Sequence, residues 1–447
     1  MIGKRLVFFT FGSLGDVYPV LALAREMKRR GHRPVVATTP VYRQLIESEG
    51  VEFHAVRPNL DVSDPAILRR AMDRRNGARY IFGQLILPAI RETYEDSVAA
   101  AKGADMLVTH PVTLAALLFA RKSNIPWASL ALSPVSLFSV YDPPVFTGVP
   151  FAEKLATFGP GFQRVFLKTM AFLFEPIWKP FRGLEKDLGL PVMPNPLIWP
   201  PKSNLVLGLF SPVLGAPQRD WPPNAHAAGF PFFEHGNGNS PELKQFLEAG
   251  EPPIVFTLGS AAVGAAGDFF QQSAEAAHSL GQRAVLLVGR DPRNQPVGKL
   301  PPGVLAVPYA PHSGIFPPAS VVVHQGGIGT TGEAMRAGRP MLVVPYSHDQ
   351  PDHAARLTRL GVARSIPRER YNAKIAAHEI AALLGDKSYA ERGSEIGAHV
   401  RTETGLATAC NLLEDLLAKS NLDRERFSRS QVFAKANEGP PATNGRA

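Results

Sequence analysis

The sequence predicts an α/β protein made of two domains, each with a parallel sheet that helices cover on both faces. Three observations predict this fold class. The chain has 447 residues, more than one hydrophobic core usually organises. Short apolar runs alternate with helical periodicity, which is typical of parallel sheets. The alternation stops near the middle of the chain and restarts at Pro253, so the second half contains a sheet of its own.

The first half opens with a strand from Leu6 to Phe11, a glycine-containing turn and a helix from Pro19 to Arg30. The elements predicted to follow are strands from Pro34 to Thr38, Glu52 to Val56, Met106 to Thr109, Trp127 to Leu130 and Leu205 to Leu209, with helices from Tyr42 to Glu49 and Thr113 to Ser123. Residues 140–203 interrupt this pattern. They are rich in proline and aromatic residues and contain a predicted helix from Phe162 to Leu188.

The second half begins with a strand from Pro253 to Leu258. The elements predicted to follow are a helix from Asp268 to Leu280, strands from Arg283 to Val288, Val304 to Pro308, Val321 to Val323 and Met341 to Val344, and helices from Ala373 to Leu384 and from Tyr389 to Lys419, the last broken near Gly405. Residues 224–240 are predicted to link the two halves, because glycine, proline and asparagine there break both periodicities.

The turn after the first strand contains a carboxylate. Asp16 follows Gly12-Ser13-Leu14-Gly15 at the carboxyl end of the strand, where parallel sheets bind ligands. The turn lacks the third glycine of the dinucleotide-binding fingerprint, which weakens the case for a nicotinamide oxidoreductase. Asp16 is equally suited to cap the following helix, so the residues alone leave two interpretations, a general base or an N-cap.

A glycine-rich turn follows the strand from Val321 to Val323. Gly326, Gly327 and Gly329 are succeeded by Thr330 and Thr331, which open a short helix predicted from Gly332 to Ala337. The free N–H groups and positive dipole end of such a helix form an anion site, and two hydroxyls add hydrogen bonds. An ordinary tight connection between strand and helix is the alternative.

The next strand ends in a cluster of hydrogen-bonding side chains. Met341 to Val344 is followed by Pro345-Tyr346-Ser347-His348-Asp349-Gln350, again at the carboxyl end of a predicted parallel strand. A phosphate site beside groups that can bind hydroxyls is suited to a nucleotide sugar.

These residues resemble the donor-binding signature of the UDP-glycosyltransferase superfamily, family 1 type with the GT-B fold. The bacterial branch related to sterol, glycopeptide-antibiotic and rhamnolipid glycosyltransferases is the most similar. Tyr309-Ala310-Pro311-His312 resembles the Trp-Ala-Pro-Gln opening of the plant signature, the segment from Gln325 to Glu333 resembles its phosphate and ribose portion, and Asp349-Gln350 resembles its sugar-reading end. The phosphate-contacting His of the family aligns with Gln325, so a possible positive charge is missing here.

The resemblance implies roles in donor binding for each matching residue. Tyr309 would stack on the base, Glu333 would accept the ribose hydroxyls, and Asp349 with Gln350 would bind the sugar. Gly329, Thr330 and Thr331 would hold the diphosphate, and Gln325 stands at the position of the phosphate-contacting His. Gly327 and His312 are also expected to bind the donor. Ser260, which follows the strand from Pro253 to Leu258, would add a hydroxyl or an N–H, although a plain turn serine explains it equally well.

The resemblance also implies an acceptor site in the first half. Asp16 would remove a proton from the acceptor hydroxyl, and His110 would pair with it, although His110 could equally line the pocket or cap the next helix. Ser13, Phe166 and Met170 are expected to contact the acceptor, since residues 140–203 resemble the wall and lid of an acceptor pocket. Taken singly, Phe166 and Met170 are ordinary core residues.

The resulting domain prediction has five parts. Residues 1–223 form the acceptor domain, 224–240 the linker and 241–406 the nucleotide-sugar domain. In this fold the terminal helix, 407–424, crosses back onto the first domain. Residues 425–447 are polar, contain proline and glycine, and are predicted to be disordered.

Composition excludes several other classes of protein. One cysteine excludes a disulfide framework, and no apolar run approaches the ~18 residues of a membrane span, so a cytoplasmic protein is expected. The net charge of +9 is scattered along helices without interleaved aromatics, which argues against a nucleic-acid partner. Attraction to an anionic membrane surface and the oligomeric state are left open.

The sequence therefore predicts an inverting glycosyltransferase that moves a hexose from a UDP- or dTDP-linked sugar to a hydroxyl of a hydrophobic small molecule or lipid. The nucleotide sugar is a co-substrate, and neither a cofactor nor a metal ion is expected. Two alternatives remain open. One is a non-catalytic GT-B protein that binds nucleotide sugars or lipids, and the other is a GT-B sugar-nucleotide epimerase.

Overall fold

The computed structural model describes residues 3–61, 64–149, 151–199, 202–234 and 238–420. Its strands form two parallel sheets, one of seven strands and one of six. The predicted fold class, an α/β protein with two parallel-sheet domains, is confirmed.

The N-terminal sheet has the strand order β3-β2-β1-β4-β5-β6-β7. Its strands are β1 (Arg5–Phe9), β2 (Arg33–Thr38), β3 (Glu52–Ala55), β4 (Met106–Thr109), β5 (Trp127–Ala131), β6 (Leu205–Gly208) and β7 (Ala225–Ala227). The C-terminal sheet has the order β10-β9-β8-β11-β12-β13. Its strands are β8 (Ile254–Thr257), β9 (Ala284–Leu287), β10 (Val304–Val307), β11 (Val321–His324), β12 (Met341–Val343) and β13 (Ala363–Ser365).

Helices connect the strands and cover both faces of each sheet. The N-terminal helices are α1 (Leu14–Arg29), α2 (Arg43–Ser48), α3 (Pro65–Ala71), α4 (Gly77–Tyr80), α5 (Ile90–Ala100), α6 (Leu114–Lys122), α7 (Ala152–Leu155), α8 (Pro160–Phe174) and α9 (Lys179–Asp187). The helices that follow are α10 (Pro241–Glu248), α11 (Gly259–Ala262), α12 (Phe269–Ser279), α13 (His312–Ile315), α14 (Ile328–Ala337), α15 (Gln350–Arg359), α16 (Ala373–Gly385), α17 (Lys387–Thr402) and α18 (405–420).

In both sheets the order of the strands reverses beside a central strand, although all strands run parallel. β1 pairs with β2 on one side and β4 on the other, and β8 pairs in the same way with β9 and β11. Strands β1, β4, β8 and β11 are almost completely buried, as their apolar sequences require. The carboxyl ends of β1 with β4, and of β8 with β11, are topological switch points, where open α/β sheets bind ligands. The topology therefore predicts a ligand-binding crevice in each domain, at the switch point of its sheet.

Several elements begin or end at other residues than the sequence predicts. Helix α1 begins at Leu14 instead of Pro19, because Ser13 caps it and the proline is accommodated inside the helix. Helix α14 begins four residues before the predicted Gly332, at Ile328. The predicted single helix from Phe162 to Leu188 is divided into α8 and α9 by a 3₁₀ turn that contains Pro176, where proline removes a helical hydrogen bond.

The connection between the domains is shorter than residues 224–240. Strand β7 pairs with β6 and so belongs to the N-terminal sheet, although it lies within the predicted linker. The predicted disordered tail, 425–447, lies outside the described residues. Helix α18 packs on the N-terminal domain, where Leu413 and Leu417 share a hydrophobic core with residues of α1. Arg30 and His32 both contact Glu414 of α18, at 2.6 and 3.1 Å.

The two chain crossings between the domains touch each other. Gly229 lies in the first crossing, after β7, and Gly405 lies in the second, at the start of α18. A Cβ atom added to Gly405 would lie only 2.6 Å from the carbonyl carbon of Gly229. The backbones of the two crossings are therefore packed directly against one another.

A segment of the N-terminal domain also clamps helix α15 of the C-terminal domain. The Asp142 carboxylate accepts hydrogen bonds from Arg356 and, at 3.1 Å, from Arg359. The Val145 N–H donates to Asp352 at 3.0 Å, and Asp352 itself pairs with Arg356 at 2.7 Å. Since Arg356 and Asp352 are both buried, this interdomain ion network is shielded from water.

We expect Asp142→Ala to destabilise the protein by about 1–3 kcal/mol, because the buried Arg356 guanidinium then loses one of its two carboxylates. The measurement is the free energy of unfolding from urea denaturation. Arg293→Ala is the matched control, since Arg293 pairs with Asp291 at the surface, where loss of an ion pair should hardly change the stability. Equal effects of the two substitutions would contradict a stabilising role for the buried network.

Candidate active site

A cavity of about 1680 Å³ lies between the two domains. Its N-terminal wall includes the turn after β1 and His110 after β4, and its C-terminal wall includes the turn after β11 and the loop after β12. Both switch points therefore open into the same space. The predicted residues that line it are Ser13, Asp16, His110, Ser260, Tyr309, His312, Gln325, Gly327, Gly329, Thr330, Glu333, Asp349 and Gln350.

The turn after β1 holds Asp16 by a capping box. Ser13 is the N-cap of α1, and Asp16 is the third residue of the helix. One carboxylate oxygen of Asp16, Oδ2, accepts hydrogen bonds from the Ser13 N–H at 2.7 Å and from its hydroxyl at 3.1 Å. Gly12 must be glycine, because its φ is +133° and a Cβ there would lie 2.3 Å from that oxygen. The structure thus gives Asp16 a helix-capping role without using its second oxygen.

The second carboxylate oxygen of Asp16 faces His110. Oδ1 lies 3.4 Å from Nε2 of His110, and the Asp16 side chain is 31% exposed whereas that of His110 is 5% exposed. His110 is held by its backbone, since its N–H donates to Phe9 of β1 and its carbonyl accepts from Thr113. The predicted pair is therefore brought together, with the carboxylate nearer to the open cavity.

The first turn of α14 forms the opposite wall. Gly327 is its N-cap and makes no side-chain capping bond, and the N–H of Thr331 bonds to the Gly327 carbonyl at 2.8 Å. The N–H groups of the first turn have no partner within the helix and point toward the cavity end of β11. Thr331 does not line the cavity. Its buried hydroxyl has no protein hydrogen-bond partner among the described residues.

Gln325 lies between two glycine turns. A Cβ on Gly259 would be 2.4 Å from its amide nitrogen, and a Cβ on Gly327 would be 2.6 Å from it. Gly259 also has a φ of +59°, which favours glycine. The Gln325 side chain is thus fixed between the ends of β8 and β11, where its N–H groups can donate to an anion in the cavity.

The two histidines near this turn are neutral in the folded protein. Burial lowers the pKa of His324 to about 3, with His312 and His353 adding to the shift, and Nδ1 of His324 accepts from the Gly326 N–H at 3.1 Å. Burial also lowers the pKa of His312 to about 4, and its ring stacks on Phe316 at 4.4 Å. His324 therefore has a structural role in the turn, whereas His312 lines the cavity as a neutral ring.

Glu333 lies one turn further along α14. Burial raises its pKa to about 6, although Arg336 counters this shift through an ion pair at 2.7 Å. Its carboxylate therefore changes charge near neutral pH.

The loop after β12 presents three side chains of different character. Asp349 is partly exposed and lies 3.7 Å from Nε2 of His353. The amide oxygen of Gln350 accepts from the N–H groups of Tyr346 and Ser347, at 2.8 and 3.1 Å, so this oxygen shapes the loop itself. His348 has a left-handed backbone with φ of +59°, and its carbonyl accepts from Thr147 of the N-terminal domain at 2.7 Å.

Three residues of the cavity were given no role by the sequence analysis. His348 lines the cavity as Asp16 does, and burial lowers its pKa, while the Asp349 and Asp16 carboxylates oppose this shift. Tyr18 faces Tyr309, which is 57% exposed, and burial together with Tyr309 raises the pKa of Tyr18 to about 12. Arg290 follows β9 and lines the cavity. Its position at the carboxyl end of a predicted strand was the signal that could have found it.

Two predicted acceptor contacts are not brought to the cavity wall. Among the described residues, Phe166 and Met170 do not line the cavity. The Phe146 ring packs against Phe166 at 5.9 Å and against Phe138 at 5.6 Å, and only Phe138 of these three reaches the cavity. The reason is that the segment around Phe138 and Phe146 lies between α8 and the cleft.

Within the described ranges, no group of three or more His, Cys, Asp or Glu side chains is arranged to hold a metal ion.

Comparisons with protein families assign both halves of the chain. Residues 6–121 match the glycosyltransferase family 28 N-terminal domain, and residues 278–411 match the erythromycin biosynthesis protein CIII-like C-terminal domain. The chain is 32% identical over 439 residues to the O-mycaminosyltylonolide 6-deoxyallosyltransferase of Streptomyces fradiae, a match that covers 92% of this chain and 97% of that protein. It is 26% identical over 450 residues to the sterol 3-beta-glucosyltransferase of Neosartorya fischeri, which covers 96% of this chain but only 30% of the longer relative.

Solved structures show the same fold. The glycotransferase of kitacinnamycin matches with a TM-score of 0.71 at 21% identity, covering 93% of this chain and 99% of that one. Glycosyltransferase VinC in complex with dTDP matches with a TM-score of 0.66 at 17% identity, covering 93% of this chain and all of that one. At these identities the likeness concerns the two-domain architecture alone.

Proposed function

Because this chain belongs to the family 1 glycosyltransferases of GT-B fold, which use nucleotide sugars, we propose that it is an inverting enzyme with a hydrophobic acceptor. It moves a hexose from a UDP- or dTDP-linked donor to a hydroxyl group of the acceptor. One observation carries this proposal. The Asp16–His110 pair and the N-terminus of α14 face a single cavity from opposite domains.

Asp16 is the general base of the proposed reaction. Its Oδ1 atom is unused by the capping box, and the Asp16 side chain is partly exposed and lines the cavity, where an acceptor hydroxyl could donate to it. His110, 3.4 Å away, holds the carboxylate in position. As Asp16 takes the proton, the acceptor oxygen forms a bond to the anomeric carbon, and the bond from that carbon to the diphosphate oxygen breaks from the opposite face. A single in-line displacement inverts the anomeric configuration.

The leaving diphosphate departs with the bonding electrons toward the first turn of α14. The N–H groups of that turn and the amide of Gln325 are fixed donors, so they stabilise the developing charge without reorganising. Arg290, which lines the same cavity, adds a positive charge that offsets the missing histidine. We therefore propose that the reaction needs no divalent ion.

The N-terminal wall of the cavity supports an apolar acceptor. Its lining includes Leu85, Leu132, Leu137, Phe138 and Leu197. The relatives point the same way, since their names specify a glycosylated tylonolide and sterols as acceptors. VinC, which has the same fold, is known in complex with dTDP, so dTDP-linked sugars belong among the donors to be tested.

The test is a thermal-shift screen of UDP- and dTDP-hexoses, followed by mass spectrometry of reactions with sterol, macrolide, flavonoid and hydroxy-fatty-acid acceptors. We expect one donor class to raise the melting temperature and an acceptor to gain the mass of one hexose. The anomeric configuration of the product, read by NMR, checks inversion. Donor binding without any product, or conversion of the donor with no acceptor present, would contradict the proposal.

Donor affinity should fall as the pH drops through about 6, because protonated Glu333 can no longer accept hydrogen bonds from both ribose hydroxyls. Calorimetric titration of the donor between mildly acidic and neutral pH measures this. Glu333→Gln should bind the donor roughly 10- to 100-fold more weakly at neutral pH and lose the dependence.

The same pKa shift predicts an opposite trend in stability. Because folding raises the pKa of Glu333 from 4.5 to about 6, the folded state favours the proton. The free protein should lose about 2 kcal/mol of unfolding free energy as the pH rises through that range, and Glu333→Gln should remove this loss. An unchanged pH profile in the variant would contradict the assignment to Glu333.

A further inference from the structure

Helix α8 is apolar on the side that faces solvent. Its buried side chains include Leu167, whereas Val165, Phe172 and Leu173 are 65%, 78% and 63% exposed. Phe162, together with Phe151 and Phe158 just before the helix, adds further exposed rings. Contiguous exposed apolar surface of this kind marks a site of interaction.

Basic side chains border this apolar face. Arg164 and Lys168 lie one turn apart on α8, Lys154 precedes the helix and Lys179 follows it, and all four are exposed. In the part of the chain that the structure describes, none of the four forms an ion pair. Glu175, the acidic residue at the end of the helix, is already paired with Arg182 at 2.8 Å. Glu153, beside Lys154, is the one further exposed acid of this segment, so the border carries a net positive charge.

A continuous row of aromatic rings joins this face to the cavity. Phe158 packs on Phe162 at 4.9 Å, Phe162 stacks on Phe166 at 6.1 Å, and Phe166 contacts Phe146 at 5.9 Å. Phe146 in turn stacks on Phe138, which lines the cavity. Aromatic side chains in contact with one another thus connect the exposed face of α8 to the cavity between the domains.

We propose that the outer face of α8, with its basic border, docks onto an anionic lipid bilayer. Phenylalanine and leucine side chains would enter the acyl boundary while arginine and lysine contact the lipid phosphates. The helix has 15 residues and would lie along the surface, and no helix in the described ranges is long and apolar enough to cross a membrane. A second copy of the chain is a poorer occupant, because a two-fold interface formed by this face would bury the basic borders of both copies together, and α8 contains no acidic side chain to pair with them.

The test is flotation of the full-length protein with vesicles of phosphatidylcholine alone or mixed with equal phosphatidylglycerol. We expect binding only to the anionic vesicles. Arg164→Glu with Lys168→Glu should weaken it about 20-fold or more, since each basic residue near an anionic surface contributes about fivefold. Phe172→Glu with Leu173→Glu should weaken it at least about tenfold.

Two control variants separate this surface from net charge and general hydrophobicity. Lys374→Glu with Lys387→Glu changes the net charge equally, but on exposed positions of α16 and α17. Val297→Glu removes an 89% exposed apolar side chain from the C-terminal domain. Both should leave vesicle binding unchanged, and circular dichroism should show all variants folded.

Binding that is equal on both vesicle types, or that the controls weaken as much as the α8 variants, would overturn the proposal. Another combination of results would also overturn it. The wild-type protein would bind neither vesicle type, and sedimentation velocity would show a wild-type dimer that Phe172→Glu with Leu173→Glu converts to a monomer. The variants do not change Asp16 or the α14 turn. Turnover of a water-soluble acceptor therefore tests the proposed enzyme activity independently of membrane binding.

Discussion

Asp16→Asn should lower kcat by roughly 10²- to 10⁴-fold and leave the dissociation constant of the donor unchanged. The amide has the size of the carboxylate and can still accept from Ser13, so the turn after β1 keeps its shape. It cannot take the proton of the acceptor hydroxyl. Single-turnover kinetics at saturating donor, with calorimetric titration of the donor alone, separates the chemical step from binding.

The capping role of Asp16 requires a control, since the variant could act by loosening α1. Ser13→Ala removes the hydroxyl from the same capping box and should cost about 1 kcal/mol of stability. It leaves the carboxylate in place, so kcat should fall far less than in Asp16→Asn. Equal losses of kcat in both variants would assign the effect to the helix cap and not to proton transfer.

The role of His110 is tested by His110→Ala in the same assay. Turnover should fall if His110 positions the carboxylate 3.4 Å away. Unchanged turnover at saturating donor would exclude the paired role and leave His110 as a residue of the cavity wall.

Gly329→Ala should weaken donor binding strongly without harming the fold, with kcat/KM for the donor falling by about 100-fold or more. A Cβ added at Gly329 would meet no atom of the protein within 4 Å, although this residue lies in the first turn of α14 and lines the cavity. The methyl group would therefore occupy space that the protein leaves for the diphosphate. A loss of that size corresponds to about 2.7 kcal/mol, which is the cost of displacing a phosphate from its fixed N–H donors.

Gly385→Ala is the matched control for this substitution. Gly385 is the last residue of α16, and a Cβ there also meets nothing within 4 Å. Both variants should be as stable as the parent protein or slightly more so, since alanine favours helix over glycine. Only Gly329→Ala should lose the thermal shift that the donor causes. Normal donor binding by Gly329→Ala would exclude the α14 turn as the diphosphate site.

The sequence was most informative where a strand ends in a distinctive turn. Apolar runs located the central strands, and the rule that ligands bind at carboxyl ends selected the turns at Asp16 and Gly327. Helix starts were less accurate, because Pro19 and Gly332 were taken as boundaries. In the structure, capping by Ser13 moves the start of α1 to Leu14. Local composition therefore located the site better than it located the ends of the helices around it.

Features that depend on how the domains face each other could not be predicted. His348 and Asp16 line one cavity although they lie in different halves of the chain, as do Tyr18 and Tyr309, and no local pattern records this. The same holds for Phe166. The family resemblance of residues 140–203 suggested a contact with the acceptor, but Phe146 packs between Phe166 and the cavity side. Periodicity identifies a buried face but not which neighbour covers it.

The contact between Gly229 and Gly405 has a mechanical consequence. Since the chain passes between the domains twice, side by side at one place, the two crossings act as a single pivot. We expect the two domains to rotate about that point rather than to slide past each other. The Asp142–Arg356 ion pair joins the domains at a second place, so a rotation that opens the cavity there would have to lengthen it. A methyl group on Gly405 would push the two crossings apart and change the angle between the domains.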